Sequence, residues 1–331
     1  MPPTYTNESM SGIIRLDLVV PVFNEEETLP FLFERLQALI TSIDKVEIKV
    51  YFVDDHSTDN TAELLKGYCV EHEAFRYLRL AVNSGSHVAI LAGLSVTHGD
   101  CAVFLSSDLQ DPPELISNLI KQWRKGFKVV WAVREEREGM SFFEKCLAKT
   151  FWSLLSRMTS VEFPPSGTDF ALMDRKIINA LKHIKGPNIN IVGEVAHLGL
   201  QQTRVYYVKK KRKHGRSKWT IGKKLKAFAD AFVAFSFVPM RLMSYVGLTV
   251  SIIGFIYAFF IIGMRIFINS PVEGWSSLMV VILTLCGIQM VMLGVLGEYL
   301  WRTLDEARQR PLFIIEDSYG FKEEGGKTTG D

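Results

Sequence analysis

Residues 102–116 read AVFLSSDLQDPPELI, and the way this stretch parses decides the fold. Residues 102–105 are a short apolar run, the pattern of a strand buried on both faces. The run stops at Ser106-Ser107-Asp108, and Pro112-Pro113-Glu114 then opens a helix, since proline fits a first turn. An open α/β sheet keeps its ligand chemistry beyond the carboxyl ends of its strands, which is where this parse puts Asp108. The Asp108 carboxylate and the Gln110 amide oxygen are hard ligands, suited to Mg2+ or Mn2+ holding a diphosphate. A strand-end Asp also serves as a turn former or N-cap, and this stretch alone leaves both uses open.

Outward from that strand the pattern repeats. Residues 15–23 (RLDLVVPVF) form a first buried strand that ends in Asn24-Glu25-Glu26, and residues 29–43 carry apolar side chains at helical spacing. A second strand over 48–53 runs into Asp54-Asp55-His56-Ser57, with a helix starting near Asn60. A third over 76–80 leads to Asn83-Ser84-Gly85 and a helix from about His87 to Thr97. Residues 128–133 (KVVWAV) are a further strand with Arg134 at its tip and Arg137 beyond. Strand, polar loop and helix alternating in this way predict a mostly parallel α/β sheet with flanking helices. Parallel neighbours place their tips on one edge, so Glu25, Asp54, Asp55 and Asp108 are expected to converge. One acidic turn is commonplace; three in this order within the first third of the chain are harder to reach by chance.

The second half changes character. Residues 141–160 are amphipathic and are expected to bridge the core and the lipid head groups. Residues 206–226 read YYVKKKRKHGRSKWTIGKKLK, basic without a single carboxylate. This run leads directly into apolar sequence, so it reads as a bilayer-facing segment and not as a nucleic-acid patch. Beside anionic lipid each Lys or Arg gains about 1 kcal/mol. Phe228, Ala231, Phe232 and Phe235 then predict an interfacial helix up to Pro239. Residues 244–268 follow as a nearly uncharged run that reaches roughly 37 Å as a helix, against a hydrocarbon core of about 30 Å. With residues 275–300 it predicts a transmembrane hairpin. Basic residues flank both outer ends (Arg241; Arg302, Arg308, Arg310) and are missing from the connecting turn. The positive-inside rule therefore puts the large domain and both termini in the cytoplasm.

Composition agrees with a membrane part. A hydrophobic share of 48% and a mean hydropathy of +0.13 are high for a wholly soluble chain of 331 residues. Cys69, Cys101, Cys146 and Cys286 show neither metal spacing nor a disulfide framework and read as buried thiols of a cytosolic protein. MPPTYTNESMSG lacks a basic region followed by an apolar core, so no signal peptide is expected. The expected plan is a disordered lead-in over 1–12, a catalytic sheet domain over 13–205, and a basic loop with interfacial helix over 206–240. A hairpin over 241–302 and a cytoplasmic tail over 303–331, disordered after about 319, complete it.

Several of these stretches resemble, in chain order, the motifs of family 2 glycosyltransferases of the polyprenyl-phosphate branch, dolichol-phosphate mannose synthases and undecaprenyl-phosphate glucosyltransferases among them. SSDLQDPPE resembles D-x-D-L-Q-x-P-P-E, with Ser106 in place of the first Asp. PVFNEEETL resembles P-x-x-N-E, and VDDHSTDNT resembles D-D-x-S-x-D-x-T. AVNSGSHVAILAG resembles N-x-G-K/H-x-x-A, with Ser86 where a basic residue is common. GTDFALMDR resembles G-x-D-F-x-L-M-D-R, and Arg212 to Trp219 resembles R-x-x-G-x-[ST]-K-[YW]. GEYLWRTLDEARQRPLFII resembles the G-E-Y-x-x-R tail, so the likeness runs over roughly 15–315.

The resemblance implies a GT-A-type domain that moves a sugar, with inversion, from a nucleotide sugar to a polyprenyl phosphate. The simplest pairing is a UDP-sugar with undecaprenyl phosphate at a bacterial plasma membrane. It implies nucleotide-sugar binding by Pro21, Glu25, Asp54, Asp55, Ser106 and Asp108, and Mg2+ or Mn2+ at Asp108 and Gln110. Asp108, Asp169 and Arg134 inherit the catalytic positions, with Arg134 near the diphosphate and Asp169 near the acceptor. Arg212, Ser217, Lys218 and Arg137 inherit the acceptor phosphate. A flippase and a glycan transferase would act afterwards in building envelope glycan, and a homo-oligomer is left open. A processive polysaccharide synthase should carry Q-x-x-R-W; here Gln201-Gln202-Thr203-Arg204-Val205 lacks the Trp, and two spans are few. A degenerate nucleotide-sugar binder rests on Ser106 alone, against Asp108, Gln110, Arg134 and Asp169.

Overall fold

The computed structural model describes residues 12–134, 170–184, 189–207, 238–268 and 274–321. Two compact units emerge: one holds the sheet and the C-terminal residues from Arg310, the other the two long apolar helices. In the first, β1 (Ile14–Val22), β2 (Val46–Asp54), β3 (Phe75–Leu80) and β4 (Cys101–Phe104) run parallel around β1. β1 and β4 are near-continuous apolar runs, buried on both faces of the sheet. β5 (Val129–Arg134), β6 (Ala171–Asp174), β7 (Gln202–Tyr207) and β8 (Ile315–Tyr319) complete the order β7-β5-β6-β4-β1-β2-β3-β8. β6 is antiparallel between β4 and β5, and β8 is antiparallel on β3.

The helices follow the predicted alternation. α1 (Leu29–Ser42) buries Leu29, Leu32, Phe33, Leu36 and Leu39, the face its spacing marked out. α2 (Thr61–Glu71) and α3 (Ser86–Ser95) follow β2 and β3. α4 (Ile116–Arg124) is entered through a 3-10 turn at Pro113–Leu115, so the prolines open a tight turn ahead of the helix proper. Two seven-residue helices, α5 (Arg175–Leu181) and α6 (Ile191–His197), precede β7. α3 lies so close to the sheet that a methyl group on Gly93 would run into Val19 Cγ1 and come within 2.9 Å of Val53 Cγ2.

The chain steps from β1 outward through β2 and β3, then returns to lay β4 on the other side of β1. That reversal is a topological switch point, and in open α/β sheets ligands bind beyond the carboxyl ends of the strands at such a point, here those of β1 and β4. β4 ends opposite Val19, three residues before β1 does, which is a step of about 10 Å.

In the second unit, α7 (Val238–Ile268) and α8 (Trp275–Ala307) are each long and apolar enough to cross a membrane. Phe255, Phe259 and Phe267 are 68%, 72% and 86% exposed, which makes hydrocarbon and not water their fitting surround. A methyl on Gly247 of α7 would come within 2.9 Å of Met292 Cε, so the two helices pack closely there.

Two expectations need correction. Cys69 and Cys101 are buried as expected, but Cys286 is exposed, because α8 turns its apolar flank outward and not into a protein core. The stretch read as a tail also carries β8, which caps the β3 edge of the sheet. Cys146, the amphipathic stretch 141–160 and the interfacial stretch 225–237 lie outside the described residues.

Candidate active site

The tips of β1 and β2 are bound into one surface. The Val22 carbonyl accepts from Asp55 N (2.9 Å). Asn24, left-handed at φ 51°, donates from its backbone to Ser57 Oγ (2.9 Å) and accepts through Oδ1 from Thr58 N (2.8 Å). The half-buried Glu25 donates its N–H to Thr61 Oγ1 (3.0 Å) and accepts from Thr28 Oγ1 (2.9 Å) at the mouth of α1. Pro21 sits opposite Val53 in the β1–β2 ladder, half-buried beneath this surface.

Asp54 and Asp55 both reach this edge, and both spend their oxygens on the protein. Asp54 is fully buried; Oδ1 accepts from Ser57 N (2.8 Å), and Oδ2 from Arg79 Nη1 (2.9 Å) and Tyr77 OH (3.4 Å). Asp55 accepts from Ser84 N (2.7 Å) and Gly85 N (2.8 Å), which ties the β2 tip to the loop after β3. Burial pushes the Asp55 carboxyl up, the two N–H donors pull it down, and the neighbouring Asp54 adds to the upward push. Their leverage on a ligand is therefore through the shape of the loops they hold.

The β4 tip is different. Ser106, Asp108 and Gln110 are each partly exposed, alternating with buried Ser107 and Asp111. Asp108 Oδ1 accepts from Gln110 N (3.1 Å), and the left-handed Leu109 (φ 57°) turns the chain between them. The turn-forming role of Asp108 is thus real, and it leaves the side chain at the open edge. From one side Arg35 of α1 grips this loop, its Nη2 donating to both carboxylate oxygens of Glu114 (2.9 and 3.0 Å), with a long contact from Nη1 to the Leu109 carbonyl (3.5 Å). From the other, the Tyr207 hydroxyl donates to Asp111, which is 1% exposed. Arg134, also buried, is the register partner of Tyr207. Burial first, then Asp111, pushes the Tyr207 hydroxyl far up, and the nearby Arg134 pulls it back.

Left-handed non-glycine residues thus sit in all three tips: Asn24, His56 (φ 63°) and Leu109. Such conformations cost energy and collect at functional edges. Ser106, Asp108 and Gln110 offer only hard oxygens. Among the described residues no three His, Cys, Asp or Glu side chains gather, so a cation here would draw most of its shell from phosphate oxygens and water.

The described part of the block GTDFALMDR, from Phe170 on, runs across the sheet. Because β6 runs antiparallel, Ala171 meets Phe104 at the site edge while Asp174 meets Cys101 at the far edge. There Asp174 accepts from Lys176 N (3.0 Å), Trp123 Nε1 (2.9 Å) and Lys128 Nζ (3.0 Å). Arg175 donates to the Gly99 and Thr97 carbonyls (2.6 and 2.9 Å), so this end of the block is scaffold. Asp169, Arg137, Arg212, Ser217 and Lys218 lie outside the described residues. Arg35, Arg79, Asp111 and Tyr207 were not singled out in the sequence. Asp111 stands at a free position of its motif, and nothing in the spacing marks the other three.

The family model for glycosyl transferase family 2 matches residues 17–182. The glycosyltransferase YkcC of Bacillus subtilis (strain 168) is 39% identical over 313 residues, 95% of this chain and 97% of that protein. The SfII prophage-derived bactoprenol glucosyl transferase of Shigella flexneri is 32% identical over 306 residues, covering 92% of this chain and 99% of the relative. Among solved structures, the mannosyltransferase PcManGT of Pyrobaculum calidifontis aligns over 68% of this chain and 64% of its own, with a TM-score of 0.49 and 16% identity. By its sheet domain and by relatives matched over nearly its whole length, the chain belongs to glycosyl transferase family 2.

Proposed function

We propose that this chain transfers a sugar, glucose in the first instance, from a UDP-sugar to a polyprenyl phosphate such as undecaprenyl phosphate. The observation that carries this reading is the match to a bactoprenol glucosyl transferase over 99% of that protein's length, a span that takes in both apolar helices as well as the sheet. A lipid acceptor gives the hairpin a purpose: the greasy tail stays in the bilayer while its head group meets a soluble donor.

In this reading the nucleotide lies over the β1 and β2 tips, held by the surface that Asn24, Glu25, Asp54 and Asp55 shape. Its diphosphate reaches the β4 tip at Ser106, Asp108 and Gln110. Mg2+ or Mn2+ at Asp108 and Gln110 would neutralise charge on the departing nucleoside diphosphate. Arg134 supports the same charge from the β5 tip, and Arg35 and Tyr207 keep the Asp108 loop in place. The acceptor phosphate, with a second pKa of about 6, is largely dianionic at neutral pH and attacks without a general base. Its oxygen bonds to the anomeric carbon as the bond to the diphosphate oxygen breaks, with inversion. Asp169 then orients the acceptor, and Arg212, Ser217, Lys218 and Arg137 hold its phosphate. The sheet domain and both termini would face the cytoplasm, leaving a flippase and a glycan transferase to act on the product.

The test gives purified full-length protein undecaprenyl phosphate, divalent metal and labelled UDP-glucose, then extracts into organic solvent. Lipid-soluble label, one sugar per lipid, is expected. No label from UDP-glucose or from a panel of other nucleotide sugars ends this reading. Asp108→Ala should cut transfer by about a hundredfold or more, as loss of a group that acts in the transition state does.

A further inference from the structure

Arg79 of β3 connects the C-terminal strand to the loop beneath the proposed donor site. Its Nη1 donates to Asp54 Oδ2 (2.9 Å), its Nη2 to the Ser57 carbonyl (3.1 Å) and its Nε to Glu316 Oε2 of β8 (3.0 Å). All three guanidinium nitrogens are engaged, so the plane of the fork is fixed by three elements at once. Ser57, gripped in this way, also donates its N–H to Asp54 and accepts from Asn24 N. The side chain of a residue 237 positions away in the chain thus bears on the β1–β2 tip surface through one intermediary. Glu316 additionally approaches His56 Nδ1 at 3.7 Å.

β8 does not depend on this ion pair for its place. Ala81 N donates to the Ile314 carbonyl (3.0 Å), Tyr77 pairs with Tyr319, and Lys66 Nζ meets Asp317 Oδ2 at 2.6 Å. Removing the Glu316 carboxylate should leave the strand docked and free only one edge of the Arg79 fork.

We propose that Glu316 and Arg79 are positioning residues for donor binding, through which the segment following the second apolar helix in the chain sets the loop over residues 55–60. The proposal rests on the reading that this loop lies under the nucleotide sugar. Glu316 is half-exposed, so its pull on Arg79 is screened and the expected effect is modest. Arg79→Lys should act more strongly, since a single ammonium cannot hold Asp54, the Ser57 carbonyl and Glu316 together.

The experiment uses the full-length chain with undecaprenyl phosphate and varied UDP-glucose, alongside hydrogen–deuterium exchange at residues 55–60 without substrate. Glu316→Ala should raise the donor KM about two- to fivefold, with the lipid KM and melting temperature unchanged and exchange at Ser57 and Thr58 faster. Glu316→Gln, which can still accept from Arg79, should stay close to the parent in both readouts. The proposal is overturned if donor KM and loop exchange are unmoved in Glu316→Ala. It is also overturned if donor KM, lipid KM and melting temperature all worsen together, as a merely structural strand would make them. If the parent protein transfers no sugar, the functional reading has failed, and exchange alone decides the coupling: faster in Ala but not Gln upholds it, unchanged overturns it.

Discussion

Asp55 is held by two N–H donors and yet sits where water cannot help it, and burial leaves its carboxyl above the ordinary value of 3.8. From pH 3.8 up through that raised value the folded chain binds more protons here than the unfolded chain does, so stability falls as pH rises. Below 3.8 both states are protonated and the contribution is fully present. Asp55→Asn removes this slope: its melting temperature should vary less with pH across the window, from a lower start because one backbone donor then faces an amide NH2. Thermal melts in detergent at stepped pH check both parts, and an unchanged slope would count against the buried carboxylate. Sequence reasoning found Asp54 and Asp55 as polar groups at the right edge, and the structure adds the loop hydrogen bonds that their oxygens accept. A carboxylate that binds substrate and one that binds its own loop look alike in a one-dimensional pattern. Tyr207 shows the converse, since nothing marks it until β7 brings its hydroxyl to Asp111. Tyr207→Phe removes a hydrogen bond to the buried Asp111 and should cost about 1–3 kcal/mol of stability, read by chemical unfolding. Transfer should fall with it as the Asp108 loop loosens.

The elements legible in the sequence were those whose burial is continuous. β1, β2 and β4 read as apolar runs because both faces are covered, and α1 shows its stripe because it packs on one side. β8 escaped because it is an edge strand, IEDSY, exposed along nearly its whole length, so neither alternation nor an apolar run betrays it. β6, α5 and α6 are too short for a period to show. Glycines separate local preference from packing in the same way. On propensity alone, Gly→Ala within a helix gains about 1 kcal/mol. Gly67 of α2 has nothing within 4 Å of a new methyl, so Gly67→Ala should stabilise the chain by about that amount. At Gly93 the methyl meets Val19 and Val53, stiff branched side chains on a packed sheet. Overpacking there costs about 1–3 kcal/mol and more than offsets the propensity gain. Gly93→Ala should therefore melt below the parent while Gly67→Ala melts above it, and two shifts of the same sign would refute the close packing of α3.

At the scale of the whole chain, the proposed chemistry demands that a water-soluble donor and a lipid head group share one side of the bilayer. The positive-inside rule predicts which side: residues 269–274 between the apolar helices have no Lys or Arg, while the outer flanks are basic. A cysteine scan can test this because two native thiols silence themselves. Cys69 is buried with its thiol pushed up to about 12, and Cys101 is buried and pushed up as well. Maleimides need the thiolate, so neither should react while the fold holds. With Cys146 and Cys286 replaced by Ser, Val272→Cys should label in intact cells with a membrane-impermeant maleimide, whereas Asp331→Cys should label only after permeabilisation. The reverse pattern would put the sheet on the side that nucleotide sugars do not reach, and transfer from a UDP-sugar would then have no donor.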